Sequence, residues 1–377
     1  MQENLDDNRV MMFSSVHLYQ DARIFFKEAH TLAKKYKVDF FAIGSTTKEI
    51  SMPNLNVNLL PKQSRFKRFK TILQLKKEIR RSTAKFYHFH DPELLILVSF
   101  IRKEKKDAVI IYDMHENFPE AIKTKDWIPK KIRPILSSFI QKKEKKYLQK
   151  LDGLIFAEES YGKNYKDIKV KKIDIYNYPI FVNKQHKKII NKIPKLIYIG
   201  RIAEVRGALQ MLEVVRQLKE DGMPVELELI GSIEDTLLEK INHFITEYKL
   251  QEEIKIIKYV DYSNIWDYYV NSDIGLCLLH PIPNYLESFA TKIFEYMAAQ
   301  IPMIVSDFPS WKSLLDENEC GMVVNPLDID EIKSQICILM NPLERNRLGK
   351  NGRFKYEQKY NWDVEGKKLL DFYNILK

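Results

Sequence analysis

Glu287 and Glu295 frame the first part of the segment ESFATKIFEYMAAQIPMIVSD, which runs from Glu287 to Asp307. A loop there leads into a helix and then a strand. On one continuous helix, residues eight apart point about 80° away from each other. A loop at Glu287 lets both carboxylates enter one cleft. A helix beginning near Thr291 offers backbone N–H groups without intrahelical acceptors, and its dipole suits a diphosphate. Carboxylates beside such an anion site can accept hydrogen bonds from sugar and ribose hydroxyls. Glu pairs are common, and the same residues also read as an amphipathic helix.

Two further segments could carry chemistry. In Ile199-Gly200-Arg201 through Arg206-Gly207, a strand ends at a glycine and two arginines precede a helix. Arginines at the mouth of a parallel sheet make good diphosphate clamps. They also read as surface arginines at the end of a βα unit. The other segment is His88-Phe89-His90-Asp91-Pro92-Glu93, with a partner at Tyr112-Asp113-Met114-His115-Glu116. Both follow expected strands, where α/β sites sit. The histidines and carboxylates could form a zinc site or an acid–base pair. No HExxH or CxxC spacing accompanies them, so no metal is expected. Histidines at strand ends are as often structural.

The elements that must position these residues follow from periodicity. Short apolar runs read as strands at Arg9–Phe13, Val38–Ile43, Phe86–His90, Ala108–Tyr112, Gly153–Ala157 and Lys171–Ile175. A helix over Ala22–Lys37 connects the first two. After Asn177-Tyr178-Pro179, residues 183–194 are polar and lysine-rich and read as a linker. Alternation restarts with strands at Leu196–Ile199, Glu226–Ile230, Ile254–Ile257, Ile274–Leu279 and Met303–Ser306. Helices fall at Ala208–Asp221, Asp235–Tyr248, Ser263–Val270, Thr291–Ala299 and Val364–Lys377. Two βα series predict an α/β protein of two Rossmann-like, doubly wound domains facing across a cleft. The expected divisions are 1–182, the linker 183–194, 195–360, and a final helical segment 361–377 crossing back to the first domain.

Composition bounds the rest. A chain of 377 residues, 45% apolar and 30% charged, suits two soluble domains with real cores. Its three cysteines are scattered, which points away from a disulfide framework or zinc cage. The acidic start does not resemble a secretory signal. The longest apolar run, Leu94 to Ile101, is shorter than the about 18 residues of a membrane span. A cytoplasmic, soluble or peripheral protein is expected. Of the net charge of +10, residues 1–180 hold 36 Lys+Arg against 22 Asp+Glu, a balance of +14, and residues 181–377 hold 25 against 29. A basic first half fits an anionic partner, such as a membrane surface at Lys62–Arg68, Arg102–Lys106 and Lys142–Lys146. It also fits a solvated lysine-rich surface. A nucleic-acid partner is not expected, since no helix-turn-helix, RNA-recognition or zinc pattern appears.

In order along the chain, HDPELL, IYDMHENFPE, NYP, YIGRIAEVRG, ELIGS, SDIGLCLLHP and ESFATKIFEYMAAQIPMIVSD resemble the retaining nucleotide-sugar glycosyltransferases of family 4, or group 1, with the GT-B fold. The likeness is greatest to those that build bacterial surface polysaccharides. It implies a metal-independent transferase using a nucleotide-sugar donor, with UDP the base-rate choice, and a saccharide or lipid-linked acceptor. No cofactor is implied. By position, Arg201 and Arg206 would hold the diphosphate and Glu295 the ribose hydroxyls. Glu287 would face the sugar, and Ser288, Phe289, Ala290 and Thr291 would offer N–H groups. Lys292 would assist the diphosphate, and His115 would contact the sugar near its reacting face. Gly231 would let the chain pass close to the nucleotide, and Gly200 would be a donor-binding residue. Many members have a Gly-Gly loop after the first strand. Here it reads Ser14-Ser15-Val16-His17, and Ser15, His17, His90, Asp91 and Glu116 are acceptor-side candidates. The alternatives are a catalytically silent GT-B subunit that binds a saccharide or partner, an epimerase, and an inverting transferase.

Overall fold

Continuous apolar runs, rather than alternating ones, mark strands covered on both faces. Two parallel sheets are built from such runs in the computed structural model, which describes residues 8–46, 52–123, 128–181, 191–261, 264–286 and 288–377. The chain forms two compact units, Met1–Asn177 with Asp363–Lys377, and Tyr178–Trp362. Of the expected linker, 183–190 lies outside the described residues.

The first unit holds β1 (Arg9–Leu18), β2 (Lys37–Ile43), β3 (Leu55–Leu60), β4 (Phe86–Phe89), β5 (Val109–Met114), β6 (Gly153–Phe156) and β7 (Lys171–Asp174). Their order across the sheet is β3-β2-β1-β4-β5-β6-β7. The direction of winding reverses between β1 and β4, which pair in parallel with Phe13 opposite Phe89. Loops leaving such a pair diverge and open a crevice at the strand C-termini.

The second unit holds β8 (Lys195–Ile199), β9 (Glu226–Ile230), β10 (Ile254–Ile257), β11 (Ile274–Cys277), β12 (Met303–Ser306) and β13 (Gly321–Val324), in the order β10-β9-β8-β11-β12-β13. Its switch point lies between β8 and β11. The core beneath it joins Leu196, Leu227, Leu229, Leu276 and Ile304 to Met211, Leu212 and Val215 of the Ala208–Glu220 helix.

Several expectations are corrected. β1 continues to Leu18, past a register shift after Phe13. The helix expected over 22–37 ends at Ala33 and opens with a wide turn, Ile24–Ala29, in which the Glu28 N–H donates to the Arg23 carbonyl at 2.9 Å. Lys37 already belongs to β2. Strands β3 and β13 were not expected. Both are sheet edges and only partly covered, so their apolar signal is weak. The Arg68–Arg81, Arg133–Leu148, Pro309–Asn318, Ile329–Leu339 and Pro342–Gln358 helices were not expected either.

The last helix, Trp362–Leu376, completes the first unit. Gly153, at the start of β6, makes room for it: a Cβ there would meet Leu376 at 2.8 Å and Phe372 at 2.9 Å. The Glu365 carboxylate accepts the Tyr176 N–H at 2.8 Å, and Tyr373 is fully buried. No helix among the described residues is long and apolar enough to cross a membrane.

Candidate functional site

In the second unit the switch point gathers cations. β8 runs into Gly200, whose N–H donates to the Ile230 carbonyl at 2.7 Å. The loops after β8 and β9 touch, since a Cβ on Gly231 would lie 2.0 Å from the Gly200 carbonyl oxygen, and Gly231 has a φ of +140°. What Gly231 makes room for within the fold is therefore the Gly200 backbone. Gly200, at φ +150°, in turn leaves space for Lys292, whose Nζ and Cε would lie 2.6 and 2.7 Å from a Cβ.

Lys292 sits in the first turn of the Thr291–Ala298 helix and is 9% exposed. Its ammonium lies 5.0 Å from the centre of the Tyr198 ring. It makes no ion pair or hydrogen bond among the described residues. The helix has no side-chain cap, and the N–H groups of Phe289, Ala290, Thr291 and Lys292 find no acceptor among the described residues. A buried ammonium and the positive end of a helix dipole thus meet at one point, an arrangement that repels itself until an anion arrives.

The helix is held firmly. The Tyr296 hydroxyl donates to the Leu276 carbonyl at 2.7 Å, and Gly275 leaves room for its ring. The Trp311 indole donates to the Ser288 carbonyl at 2.8 Å and fixes the loop before it. Glu295, one turn beyond Thr291, accepts the Tyr269 hydroxyl at 2.7 Å.

The two arginines differ. Arg206 is half-buried, and its Nε donates to the Tyr285 hydroxyl at 3.3 Å. It also lies against the Tyr198 hydroxyl. Arg201 is 59% exposed and pairs with Glu234, while its carbonyl accepts the Tyr198 hydroxyl at 2.9 Å. Tyr198, at 2% exposure, therefore links Arg201, Arg206 and Lys292. The sequence reading took it for an ordinary strand residue. Glu287 lies outside the described residues.

In the first unit the switch point holds paired charges. The Asp91 carboxylate, 3% exposed, accepts the Ser14 hydroxyl at 2.7 Å, the Ser15 N–H at 2.5 Å and the Val16 N–H at 3.2 Å. His17 Nδ1 lies 2.9 Å from its other oxygen. Burial opposes the Asp91 charge, but the His17 and Ser14 contacts outweigh it and hold the carboxyl well below the usual range. Burial likewise opposes the charge of His17, and Asp91 outweighs it, so the imidazole is raised above its ordinary value. The Ser14–His17 loop is thus closed onto Asp91.

Deeper, Arg23 forks onto Asp113 with bonds of 3.1 and 2.9 Å and pairs with Glu28 at 2.8 Å. Burial works against the Asp113 charge, and Arg23 overcomes it. Burial pushes Glu28 up, with Asp113 adding to the effect. His115 Nε2 lies 2.7 Å from Asp113 Oδ2, and His90 Nδ1 lies 3.3 Å from the same oxygen. Burial holds His90 down to about 4, so it is neutral near pH 7. His88 shares a hydrogen bond of 2.8 Å with Tyr373 from the last helix. The expected His115, His90, Asp91, Ser15 and His17 are thus drawn into two adjoining networks. Glu116 is exposed and joins neither.

Glu28, His88, His90 and Asp113 bring four ligand atoms within 4.8 Å of one another, a donor set of a kind that binds zinc. Arg23 already bridges both carboxylates, and a dication there would face a fixed positive charge. Arg23 and Glu28 are functional candidates that the sequence reading missed.

Residues 181–355 match the family model described as glycosyl transferases group 1. The chain is 24% identical over 196 residues, 51% of its length and 49% of the other's, to the capsular polysaccharide biosynthesis glycosyltransferase CapM of Staphylococcus aureus. It is 25% identical over 186 residues, 47% and 48%, to spore coat protein SA of Bacillus subtilis. The chain thus spans about half the length of the curated relatives it matches. Among solved structures, sucrose-phosphate synthase from Thermosynechococcus elongatus superposes with a TM-score of 0.74 at 17% identity, over 98% of this chain and 99% of that one. HepE of Anabaena, in complex with UDP and glucose, gives 0.71 at 10% identity, over 97% and 99%.

Proposed function

We propose that the chain, which has the GT-B fold and matches the group 1 glycosyltransferase model over residues 181–355, is such a transferase and moves a sugar from a nucleotide-sugar donor to a saccharide or lipid-linked acceptor in surface-polysaccharide synthesis. The observation that carries this reading is Lys292: an ammonium 9% exposed and unpaired among the described residues, at an uncapped helix start. A diphosphate supplies the missing charge. Solved structures of the same fold hold UDP or a UDP-sugar, which favours UDP as the nucleotide here.

In this reading Lys292, Arg206 and the N–H groups from Phe289 to Lys292 take the diphosphate, while the expected Ser288 N–H already donates to the Tyr285 carbonyl. Arg201 reaches it by exchanging Glu234 for phosphate. Glu295, already oriented by Tyr269, binds the ribose hydroxyls, and Glu287 holds the sugar. As the glycosidic bond lengthens, the leaving diphosphate gains negative charge and the sugar becomes oxocarbenium-like. Fixed cations and N–H groups stabilise that charge without reorganising, so no metal is required. The acceptor hydroxyl attacks from the leaving-group side, and a phosphate oxygen takes its proton. The anomeric configuration is retained. The reaction belongs on the cytoplasmic side, where nucleotide sugars are made.

Arg206→Ala tests the scheme. Its loss is expected to slow turnover by about 2–4 kcal/mol of barrier, by analogy with removing one oxyanion-hole donor. Steady-state rates, with product anomers assigned by NMR, measure both claims. Near-normal turnover in the variant would remove Arg206 from the site, and an inverted product would remove the retaining mechanism.

A further inference from the structure

Two helices of the first unit repeat one unusual surface pattern. The Arg68–Arg81 helix faces its own core with Thr71, Leu75 and Ile79. Its opposite side, with the turn before it, exposes Phe66 at 93%, Phe69 at 55% and Leu73 at 58%. The Arg133–Leu148 helix buries Ser137, Glu144 and Leu148, yet exposes Ile132, Ile135 and Phe139, with Ile135 at 72%. Both outer sets follow the spacing i, i+3, i+7, which places each on one helical stripe. Both helices pack against the Pro92–Leu97 turn, where Ile96 is exposed as well. Single exposed apolar residues are ordinary. Two matching stripes flanking a third exposed apolar residue form a patch.

Lysines extend both stripes. Lys70 and Lys77 lie one turn beyond Phe66 and Leu73. Lys142, Lys143 and Lys146 lie three, four and seven residues beyond Phe139. None of these five forms an ion pair among the described residues, and Lys143 sits 4.8 Å over the Phe139 ring. Lysine is depleted in protein–protein interfaces. It suits a bilayer boundary, where its stem lies along apolar surface and its ammonium meets anionic headgroups.

We propose that this face of the first unit docks on an anionic membrane, with Phe66, Phe69, Leu73, Ile135 and Phe139 entering the headgroup region. The proposal rests on the transferase reading only for its purpose, which is to bring the protein to a lipid-linked acceptor. The docking itself is a property of the surface.

Co-sedimentation tests it with phosphatidylcholine–phosphatidylglycerol vesicles and with pure phosphatidylcholine vesicles. The wild type is expected to pellet with the mixed vesicles and stay in solution with the neutral ones. F66S/F69S/L73S and I135S/F139S are each expected to bind roughly tenfold or more weakly, with unchanged thermal midpoints. K142Q/K143Q/K146Q should bind more weakly, and salt should affect its residual binding less. Wild type that ignores the mixed vesicles overturns the proposal. So do apolar variants that bind like wild type. A wild-type dimer in ultracentrifugation that the apolar variants dissolve would assign the face to a second copy instead. Nucleoside-diphosphate binding on the same preparations reports the transferase reading separately, since none of these residues lies in the donor site.

Discussion

At the first unit's switch point buried groups of both signs meet. Arg23 forks onto Asp113 and lies 2.8 Å from Glu28, whose buried oxygens accept no hydrogen bond among the described residues, and His17 pairs with Asp91. At the second unit's switch point Lys292 and Arg206 have no carboxylate partner among the described residues. Lys292, Arg206 and a helix N-terminus converge around Tyr198, and no described carboxylate closes that group. The same topology therefore yields a network of mixed charge in one unit and a cationic cluster in the other. Mixed charges hold their side chains in place against one another. In the proposed reading the cationic cluster takes the charge of the donor diphosphate.

The contrast breaks most visibly at Arg23. Arg23→Ala leaves two carboxylates buried without their cation and is expected to cost about 3–5 kcal/mol of stability, read by chemical denaturation. Arg23→Lys keeps the charge but loses the fork onto Asp113, and should fall between the two. A cost below about 1 kcal/mol for Arg23→Ala would mean that the network does not hold the first unit together.

A smaller effect sharpens it at His17. The folded value of His17 lies above its ordinary 6.5. Its stabilisation is therefore fully present below that value and is lost as pH rises through the raised one. The difference in thermal midpoint between wild type and His17→Gln should be greatest in mild acid and shrink toward alkaline pH. A difference that grows as pH rises would show that His17 and Asp91 are not an ion pair.

The sequence exposed the second unit's cation cluster well, because its residues follow directly after strands or open the next helix. IGRIAEVRG and TKIFEYMA place Gly200, Arg206, Lys292 and Glu295 by chain order alone, and the helix start at Thr291 stands where the residues put it. The first unit's network was harder to see. Arg23 and Glu28 are five residues apart, and only the wide Ile24–Ala29 turn brings them together. A search at α-helical spacing passes over them. Tyr373 reaches His88 from a distant part of the chain. Tyr198 reads as core because its ring is core, and only its hydroxyl reaches the loop. The two edge strands β3 and β13 lacked the doubly buried apolar run that revealed the rest.

Calorimetric titration of nucleoside diphosphates with EDTA present, on wild type and Lys292→Met, addresses the central claim most directly. One diphosphate is expected to bind wild type without metal, and Lys292→Met should bind it at least about tenfold more weakly, as for a lost hydrogen bond to a charged group. The variant should keep its thermal midpoint or raise it, since a buried ammonium without an ion-pair partner among the described residues has been removed. Equal binding by the two proteins, or no binding of any diphosphate to wild type, would contradict the assignment of this site to the donor.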